Sequence, residues 1–243
     1  MRRALLLGLD RHTLVQQIFD NRQPVAATFV NPLDWIIDAD LPAPGFDPVA
    51  AARLLDEAGW NQIRDGVRVN AAGERLSLEL MSTAGNRVRE TVEQVMQSQW
   101  RRIGIEVRIR NEAPRVFFGE TLRRRQFTGL AMFAWTSSPE NVPRSTLHSD
   151  EITRPENGFG GQNYTGFRNA EMDRLIDQTE LELDRERRRA LWYRIQRIYA
   201  EELPVLPLYF RADPYIMPRW LVGIEPTGHQ YPTTLWVETW HEQ

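Results

Sequence analysis

The sequence predicts an α/β fold in which helices flank a mixed β-sheet. Some segments have apolar residues that alternate with polar ones or follow one another without a break, as is typical of strands. Between them lie segments whose apolar residues recur at helical spacing. Such alternation of strands and helices is typical of α/β domains. The chain has 243 residues, of which 42% are hydrophobic, and this is enough for a substantial core.

The amino-terminal segment predicts a helix with a buried apolar face. The apolar run over residues 4–9 ends at Asp10, so it is shorter than the apolar region of a secretion signal and far shorter than a membrane span. We expect the helix to stop and to be capped again near Asp10. Residues 21–44 contain several prolines and little periodicity, which predicts a long extended connection.

Residues 46–60 carry signals for both ends of the next helix. Asp47 can accept a backbone N–H of the first turn, and Pro48 suits the first helical position, where no N–H is needed. Gly59 suits the left-handed residue that closes a helix. These signals predict a short buried helix over residues 48–58.

The middle of the chain predicts alternating strands and helices. Residues 66–74 are typical of a hairpin with a turn at 70–73, and a strand is expected to follow over 76–80. Residues 86–103 have the apolar spacing of an amphipathic helix. The alternation over 105–109 then indicates a half-buried strand.

The second half of the chain continues this pattern around a long polar stretch. Residues 114–124 predict a helix, and the apolar run over 127–135 predicts a strand buried on both faces. Residues 136–166 are polar with weak periodicity, and loops of this length are usually functional or mobile. Helices are expected over 170–183 and 185–202. Short strands are predicted over 205–210, 215–217 and 221–224.

Charge and cysteine content exclude several classes of function. The 30 basic and 33 acidic residues give a net charge of −3, so no strong field favours binding to nucleic acid or anionic lipid. The basic clusters 123–125 and 185–189 lie beside acidic residues or at predicted helix ends, which favours solvated faces. The chain has no cysteine, which excludes disulfides, thiolate catalysis and cysteine-ligated metals.

No pattern of catalytic residues stands out, so we expect neither enzymatic activity nor a cofactor. The four histidines are far apart, and none has a partner at the helical spacing of a metal site. The glycines of residues 158–161 lack the Lys-Ser/Thr of a phosphate-binding loop, and no Gly-x-Ser-x-Gly elbow occurs. A metal-dependent hydrolase is one further alternative. A hydrolytic activity that is lost when a chelator removes the metal would support it.

Residues 46–60, FDPVAAARLLDEAGW, resemble a family signature. It is the (Y/F)DP…A..LL.EAG(W/Y) pattern of extracytoplasmic solute-binding proteins of the oligopeptide, dipeptide and nickel class, bacterial extracellular solute-binding protein family 5. These proteins are the receptors of ABC importers. Further stretches resemble the family in the same order: RRALLLGLDRHTLVQQIF at the amino terminus, IGIEV at 103–107, Trp135, NYTGFRN at 163–169, LPVLPLY at 203–209 and Gly223. One departure is Ala134, where the family has a glycine before the tryptophan.

The resemblance covers only the carboxyl-terminal half of the family. It implies a periplasmic-binding-protein-like (type II) C-terminal lobe over residues 1–205 and a return segment over 206–243 that packs on the absent first lobe. We expect the first lobe and a signal peptide in a missing amino-terminal part, and a periplasmic or extracytoplasmic location. The expected partners are a small peptide or similar polar solute, the permease subunits of an ABC transporter and the missing lobe of the same receptor. No nucleic-acid partner is expected.

The resemblance also implies ligand contacts around Trp135. The expected contact residues are Met132, Trp135, Ser137, Ser138, Arg144, Asn163 and Tyr164. Met132 and Ser138 stand at about the positions where oligopeptide-binding members carry an arginine and an aspartate that hold the peptide termini. Two charge anchors are therefore absent. His148 is kept as a candidate ligand because some relatives bind nickel.

The residues alone leave two assignments open. Trp135, at a strand end, could be a core residue or the aromatic wall of a cleft. Asn163 and Tyr164 could order the loop by hydrogen bonds or contact a ligand.

The sequence therefore predicts non-covalent capture of a small peptide or similar polar solute for delivery to an ABC permease. The alternative is a non-transporting remnant or interaction domain that lacks a complete ligand cleft. In that case exposed apolar side chains would form an adhesive surface. The candidates for it are Leu206, Phe210, Trp236 and Trp240.

Overall fold

The computed structural model describes residues 1–136, 138, 142–212, 214–225 and 233–243. Its helices are α1 (Arg2–Leu7), α2 (Arg11–Phe19), α3 (Pro48–Glu57), α4 (Arg87–Arg102), α5 (Pro114–Val116), α6 (Arg144–Leu147), α7 (Ala170–Leu181) and α8 (Arg185–Glu202). A π-helical segment, Phe117–Leu122, continues α5, and 3₁₀ turns lie at Ser149–Glu151, Pro155–Asn157 and Thr233–Thr239. The strands are β1 (Gln62–Arg64), β2 (Val67–Val69), β3 (Ser77–Met81), β4 (Glu106–Ile109), β5 (Leu130–Ala131), β6 (Leu221–Val222) and β7 (His241–Glu242). No helix in these ranges combines the length and the apolar character that spanning a membrane requires.

Side-chain caps begin the helices that the sequence predicts most sharply. Asp10, Asp47 and Asn86 each accept a hydrogen bond from the backbone N–H three residues on, at 2.9, 2.8 and 3.1 Å. Each cap satisfies a donor that the first helical turn leaves open. The interruption near Asp10 and the starts of α3 and α4 are therefore confirmed.

The central sheet has three parallel strands in the order β4–β3–β5. Ser77 pairs with Glu106, and Leu80 pairs with both Ile109 and Leu130. Helix α4 joins β3 to β4, which is the crossover that a parallel pair needs. The antiparallel ladders β1–β2 and β6–β7 are separate from this sheet. The α/β fold class is confirmed.

The predicted hairpin turn over 70–73 is present: Val69 forms an antiparallel bridge to Arg75, and Leu76 N donates to Arg68 O at 2.7 Å. β2 also pairs with the preceding β1, with Gln62 opposite Val69, and this strand was not predicted from the sequence. Asp65 and Gly66 form the connection with positive φ angles of 51° and 75°. An Asp-Gly pair is favoured in such two-residue turns, because both positions need a left-handed backbone.

The apolar run over 127–135 forms a shorter strand than predicted. Leu130 and Ala131 of β5 are half-buried, whereas the run predicts burial on both faces. Within the described residues β5 lies at the edge of the sheet, so its outer side has no neighbouring strand to cover it. After Met132 N donates to Met81 O at 2.7 Å, the chain leaves the ladder.

The predicted strand over 205–210 is replaced by an isolated antiparallel bridge between Val25 and Tyr209. Main-chain hydrogen bonds of 3.2 and 2.8 Å flank this bridge. A regular ladder cannot form here because prolines have no N–H to donate. They stand at positions 24, 204 and 207. Residues 206–210, which the sequence assigns to the return segment, thus contact the lobe itself.

The described part of the carboxyl-terminal region has little regular structure. Residues 215–217 form no strand, although the sequence predicts one. The strand predicted over 221–224 is present as β6, where Leu221 pairs with Glu242 of β7. β7 has no counterpart among the predicted elements.

The core has two main clusters. The first lies between α1–α4 and the central sheet around the fully buried Trp100, whose Nε1 donates to Leu5 O at 2.8 Å. The second lies between α7 and α8 around Trp192 and includes Val30 and Ile36 from the extended connection. The connection is therefore held in place by burial of its apolar side chains.

A buried arginine, Arg11, ties three segments together. Its Nη1 donates to Ala26 O at 2.6 Å and to Pro207 O at 2.7 Å, and its Nη2 donates to Pro44 O at 2.6 Å. The side chain is only 3% exposed, and burial lowers the pKa of Arg11 to about 10. The guanidinium fastens the extended connection and residue 207 to α2.

Candidate ligand-binding site

The ends of the three parallel strands meet at one edge of the sheet. We call this the carboxyl edge; it comprises Ser82 and Thr83 after β3, Asn111 after β4 and Met132 after β5. In open α/β sheets, ligands bind beyond the carboxyl ends of the strands. The carboxyl edge is therefore the place where the fold favours a site.

Side-chain hydrogen bonds hold the carboxyl edge together in addition to the main-chain ladder. Asn111 Oδ1 accepts from Ser82 N at 2.8 Å, and Ser82 Oγ donates to Met132 O at 2.8 Å. Arg89, on α4, donates from Nη1 to Thr83 Oγ1 at 2.8 Å. The ends of all three strands are thus linked to one another or to α4.

Five aromatic side chains form a cluster beside this edge, which we call the aromatic wall: Phe117, Phe118, Phe133, Trp135 and Tyr164. Phe133 lies at its centre, with ring centroids 5.3 to 6.2 Å from those of the other four. Trp135 stacks on Tyr164, with centroids 6.2 Å apart and planes 20° apart. Offset and edge-to-face pairs of this kind stabilise each other beyond simple burial.

Part of the aromatic wall is open to solvent. Trp135 is 51% exposed and Phe118 is 39% exposed, whereas Phe117 is fully buried. Burial raises the pKa of the half-buried Tyr164, and the charge of Arg123 acts in the opposite direction. An exposed aromatic face that rests on half-buried rings offers a ligand a large contact area at low entropic cost.

Asn163 uses its side chain to order the loop. It is fully buried, and its Nδ2 donates to His148 O and Phe167 O at 3.0 and 2.9 Å. Its Oδ1 accepts from Phe167 N and Thr165 Oγ1 at 3.0 and 3.2 Å. Both amide hydrogens and the oxygen are engaged, so Asn163 fixes the loop that carries Tyr164.

Arg144, another of the expected contacts, lies on α6 with its charge already paired. Its Nε and Nη2 donate to the carboxylate of Glu180 at 2.7 and 2.8 Å, and Nη2 also contacts Asp177. Hydrogen bonds from both carboxylates raise the pKa of Arg144 above its ordinary value. The structure thus places this guanidinium in an ion-pair network with α7.

His148 belongs to the same network. It is buried, its Nδ1 accepts from Asp150 N at 3.1 Å, and its Nε2 lies 3.6 Å from Asp177 Oδ1. Across the described ranges, no three acidic or histidine side chains come together as a set that could hold a metal ion.

The remaining expected contacts divide as follows. Met132 is partly buried against the first core cluster, with its main chain in the carboxyl edge. Ser138 is half-buried, and Ser137 lies outside the described residues. The structure therefore brings Trp135 and Tyr164 together, whereas it packs Met132 against the first core cluster and places Arg144 in the network with α7.

Several residues of this edge were not singled out from the sequence. Phe118 and Phe133 belong to apolar segments and give no separate signal. Ser82 and Asn111 do give one, because each is a polar residue that comes shortly after a predicted strand. Polar residues at that position of parallel strands are brought to one edge of the sheet.

The fold favours a ligand site at this edge, and an aromatic wall beside the edge has the composition that ligand sites favour. The chain belongs to the bacterial extracellular solute-binding proteins, family 5, because the model of the middle region of that family matches residues 1–153. The resemblance drawn from the sequence motifs is thereby confirmed.

Proteins and solved structures similar to this chain include named peptide-binding proteins. The oligopeptide-binding protein AppA of Bacillus subtilis is 28% identical over 225 residues, which is 92% of this chain and 40% of AppA. The crystal structure of an oligopeptide-binding protein from Thermus thermophilus complexed with a pentapeptide has a TM-score of 0.83 and 38% identity, and covers 92% of this chain and 39% of that one. The structure of B. subtilis AppA with a nonapeptide has a TM-score of 0.80 and 27% identity, and covers 100% of this chain and 47% of that one. The chain therefore spans less than half the length of these relatives.

Proposed function

We propose that this chain forms one wall of a two-lobed receptor that works outside the cytoplasm. The receptor captures a small peptide non-covalently and delivers it to the permease of an ABC importer. The observation that carries the proposal is the solvent-exposed aromatic face of Trp135 at the carboxyl edge of the parallel sheet. The peptide-binding relatives named above support the choice of a peptide. Closure of two lobes over the ligand would be a shift in population between open and closed forms.

The residues of the edge favour recognition by contact area over recognition by charge. Met132 is uncharged where the motif resemblance implies a charge anchor, and Arg144 is paired with Glu180 and Asp177. Stacking on Trp135 and hydrogen bonds to main-chain groups are then the main sources of affinity. Such a site accepts varied side chains, which suits a receptor for peptides.

As part of the same proposal, the carboxyl-terminal residues return to the other lobe. Leu206, Leu208 and Tyr209 pack against the first core cluster of this lobe. Beyond them Ile216 is 101% exposed and Trp220 is 52% exposed. Large apolar side chains left in solvent indicate a surface that another part of the receptor covers.

The experiment that tests the proposal is chemical identification of the solute that the protein carries. The native protein that contains this chain is purified from the cell envelope without denaturation, and bound molecules are released by acid and identified by mass spectrometry. We expect peptides, and we expect fewer of them from a Trp135→Ala variant prepared in the same way. A sugar, a metal chelate or no solute at all would contradict the proposal.

The second candidate function is an interaction domain without transport. The same exposed tail side chains favour it, among them Trp236, which is 44% exposed. An adhesive surface of this kind predicts concentration-dependent self-association of the native protein, which sedimentation velocity measures. A monomer that retains peptide would exclude this second function.

A further inference from the structure

A buried acid lies behind the carboxyl edge. Glu93, on α4, is 0% exposed. Its Oε2 accepts a hydrogen bond from Asn111 Nδ2 at 2.7 Å, whereas its Oε1 is buried without a hydrogen-bond partner in the described part of the chain. A carboxyl group in such a place costs stability compared with an apolar side chain of the same size. Its presence therefore calls for a role other than packing.

The hydrogen bond from Asn111 connects Glu93 to every strand of the sheet. Glu93 attracts the NH₂ group of the Asn111 amide, and this turns the amide oxygen toward Ser82, whose N–H it accepts at 2.8 Å. Ser82 in turn donates its hydroxyl to Met132 O at 2.8 Å. The connection thus runs from α4 across the ends of β4 and β3 to the end of β5.

The last step of this connection reaches the aromatic wall. Met132 immediately precedes Phe133, the central ring, and Trp135 follows two residues later. β5 is a two-residue edge strand, so its main-chain pairing alone gives the following segment little support. The hydrogen bond from Ser82 Oγ fixes the carbonyl from which this segment departs.

We propose that Glu93 is a positioning residue for the ligand-binding wall, acting through Asn111 and Ser82 on the main chain of Met132. The inference rests on the proposed function, because its consequence is measured as peptide affinity. A binding surface must be held in its productive geometry by residues that do not themselves touch the ligand. Glu93 has this place behind the carboxyl edge.

The surroundings of Glu93 are mixed in charge. Burial, the largest cause, raises the pKa of Glu93, and the hydrogen bond from Asn111 lowers it; on α4, the charge of Glu90 raises this pKa and that of Arg89 lowers it. Arg89 itself bonds Thr83, the residue after Ser82. α4 therefore makes two polar contacts to the carboxyl edge, one direct and one through Asn111.

The test compares substitutions that keep or remove the acceptor. Glu93→Gln keeps an oxygen for Asn111, whereas Glu93→Leu removes it and preserves the bulk. The matched control is Gln97→Leu on the same helix, which removes the bond from Gln97 Nε2 to Val107 O of 2.8 Å within β4. The probe is a randomised pentapeptide library, and the readout is the half-saturating concentration for the native protein that contains this chain, with folding checked by circular dichroism.

We expect Glu93→Leu to weaken binding about tenfold, and Glu93→Gln and Gln97→Leu to stay within about threefold of wild type. The double variant Ser82→Ala/Glu93→Leu should bind no more weakly than Glu93→Leu, because both changes cut one connection.

Should Glu93→Leu not fold, Ser82→Ala alone, which removes one hydroxyl, is expected to weaken binding about threefold or more. Wild-type affinity in folded Glu93→Leu or in Ser82→Ala would overturn the inference and leave the proposed function intact. Failure of the wild-type protein to bind the library would overturn both.

Discussion

The indole of Trp135 stacks on the ring of Tyr164, with the two centroids 6.2 Å apart and the planes 20° apart. Trp135 follows the edge strand β5, and Tyr164 comes from the loop that Asn163 orders. One flat aromatic face is thus assembled from two distant parts of the chain. Its exposure at Trp135, 51%, is the basis of the binding predictions below.

Replacing Trp135 by alanine is expected to weaken peptide binding about tenfold, since an exposed aromatic anchor typically contributes more than about 1 kcal/mol to binding. The melting temperature should change little, because half of the side chain is already in solvent. Isothermal titration with a defined pentapeptide measures the affinity. Phe46→Ala, at an exposed aromatic residue outside the aromatic wall, is the control. Equal affinities of the two variants would show that Trp135 does not touch the peptide.

Replacing Asn163 by alanine is expected to lower both stability and affinity. The change leaves the buried carbonyls of His148 and Phe167 without their donor, which costs about 1–3 kcal/mol. The loop that carries Tyr164 then loosens, and the stacking with Trp135 weakens. Urea unfolding measures the first effect and peptide titration the second. Unchanged peptide affinity in the destabilised variant would separate Asn163 from the binding site.

Replacing Arg11 by methionine is expected to lower the free energy of unfolding by about 2–4 kcal/mol, because buried carbonyls lose a charged donor. The carbonyls belong to Ala26, Pro44 and Pro207. Arg22→Met is the control, since Arg22 is exposed and lies 4.0 Å from Asp20, and exposed pairs contribute little. Urea unfolding midpoints of the two variants check the difference. A similar, small effect of both changes would contradict the role of Arg11.

The stability of the protein is expected to depend on the protonation of Glu93. Burial raises the pKa of Glu93, so the folded protein holds this proton more tightly than the unfolded chain, in which the pKa of glutamate is about 4.3. The free energy of unfolding contributed by this group is therefore highest below the unfolded pKa and falls as the pH rises through the raised one. The Glu93→Gln variant has no titrating group at this position, so the wild type should lose stability relative to the variant as the pH rises from the unfolded pKa to the raised folded pKa. Melting temperatures of both proteins over this pH interval measure the loss. A difference in melting temperature that does not change with pH would contradict the raised pKa.

Elements that depend on local signals could be predicted closely from the sequence. α3 is set by Asp47, Pro48 and Gly59, and these act within one helical turn of the ends. The same holds for the new start of α2 at Asp10. Capping is decided by residues that are neighbours in the sequence, so helix ends of this kind can be predicted from the sequence alone.

Pairing between segments was harder to predict. The predicted turn over 70–73 is present, but the second pairing of β2, with β1, depends on the Asp65–Gly66 turn, a signal that is present in the sequence and that the prediction missed. The shortness of β5 depends on its place at the edge of the sheet, which no local pattern reports. The stacking of Trp135 on Tyr164 and the pairing of Arg144 with Glu180 depend on tertiary contacts between distant residues.

Hydrogen exchange of the native protein, measured by mass spectrometry with and without a bound pentapeptide, tests the central claim most directly. If the carboxyl edge and its aromatic wall form the peptide site, the peptide should slow amide exchange over residues 130–136 and 163–165. Exchange in the β1–β2 hairpin should stay unchanged. Protection confined to the hairpin, or none over 130–136 while the peptide is bound, would contradict it.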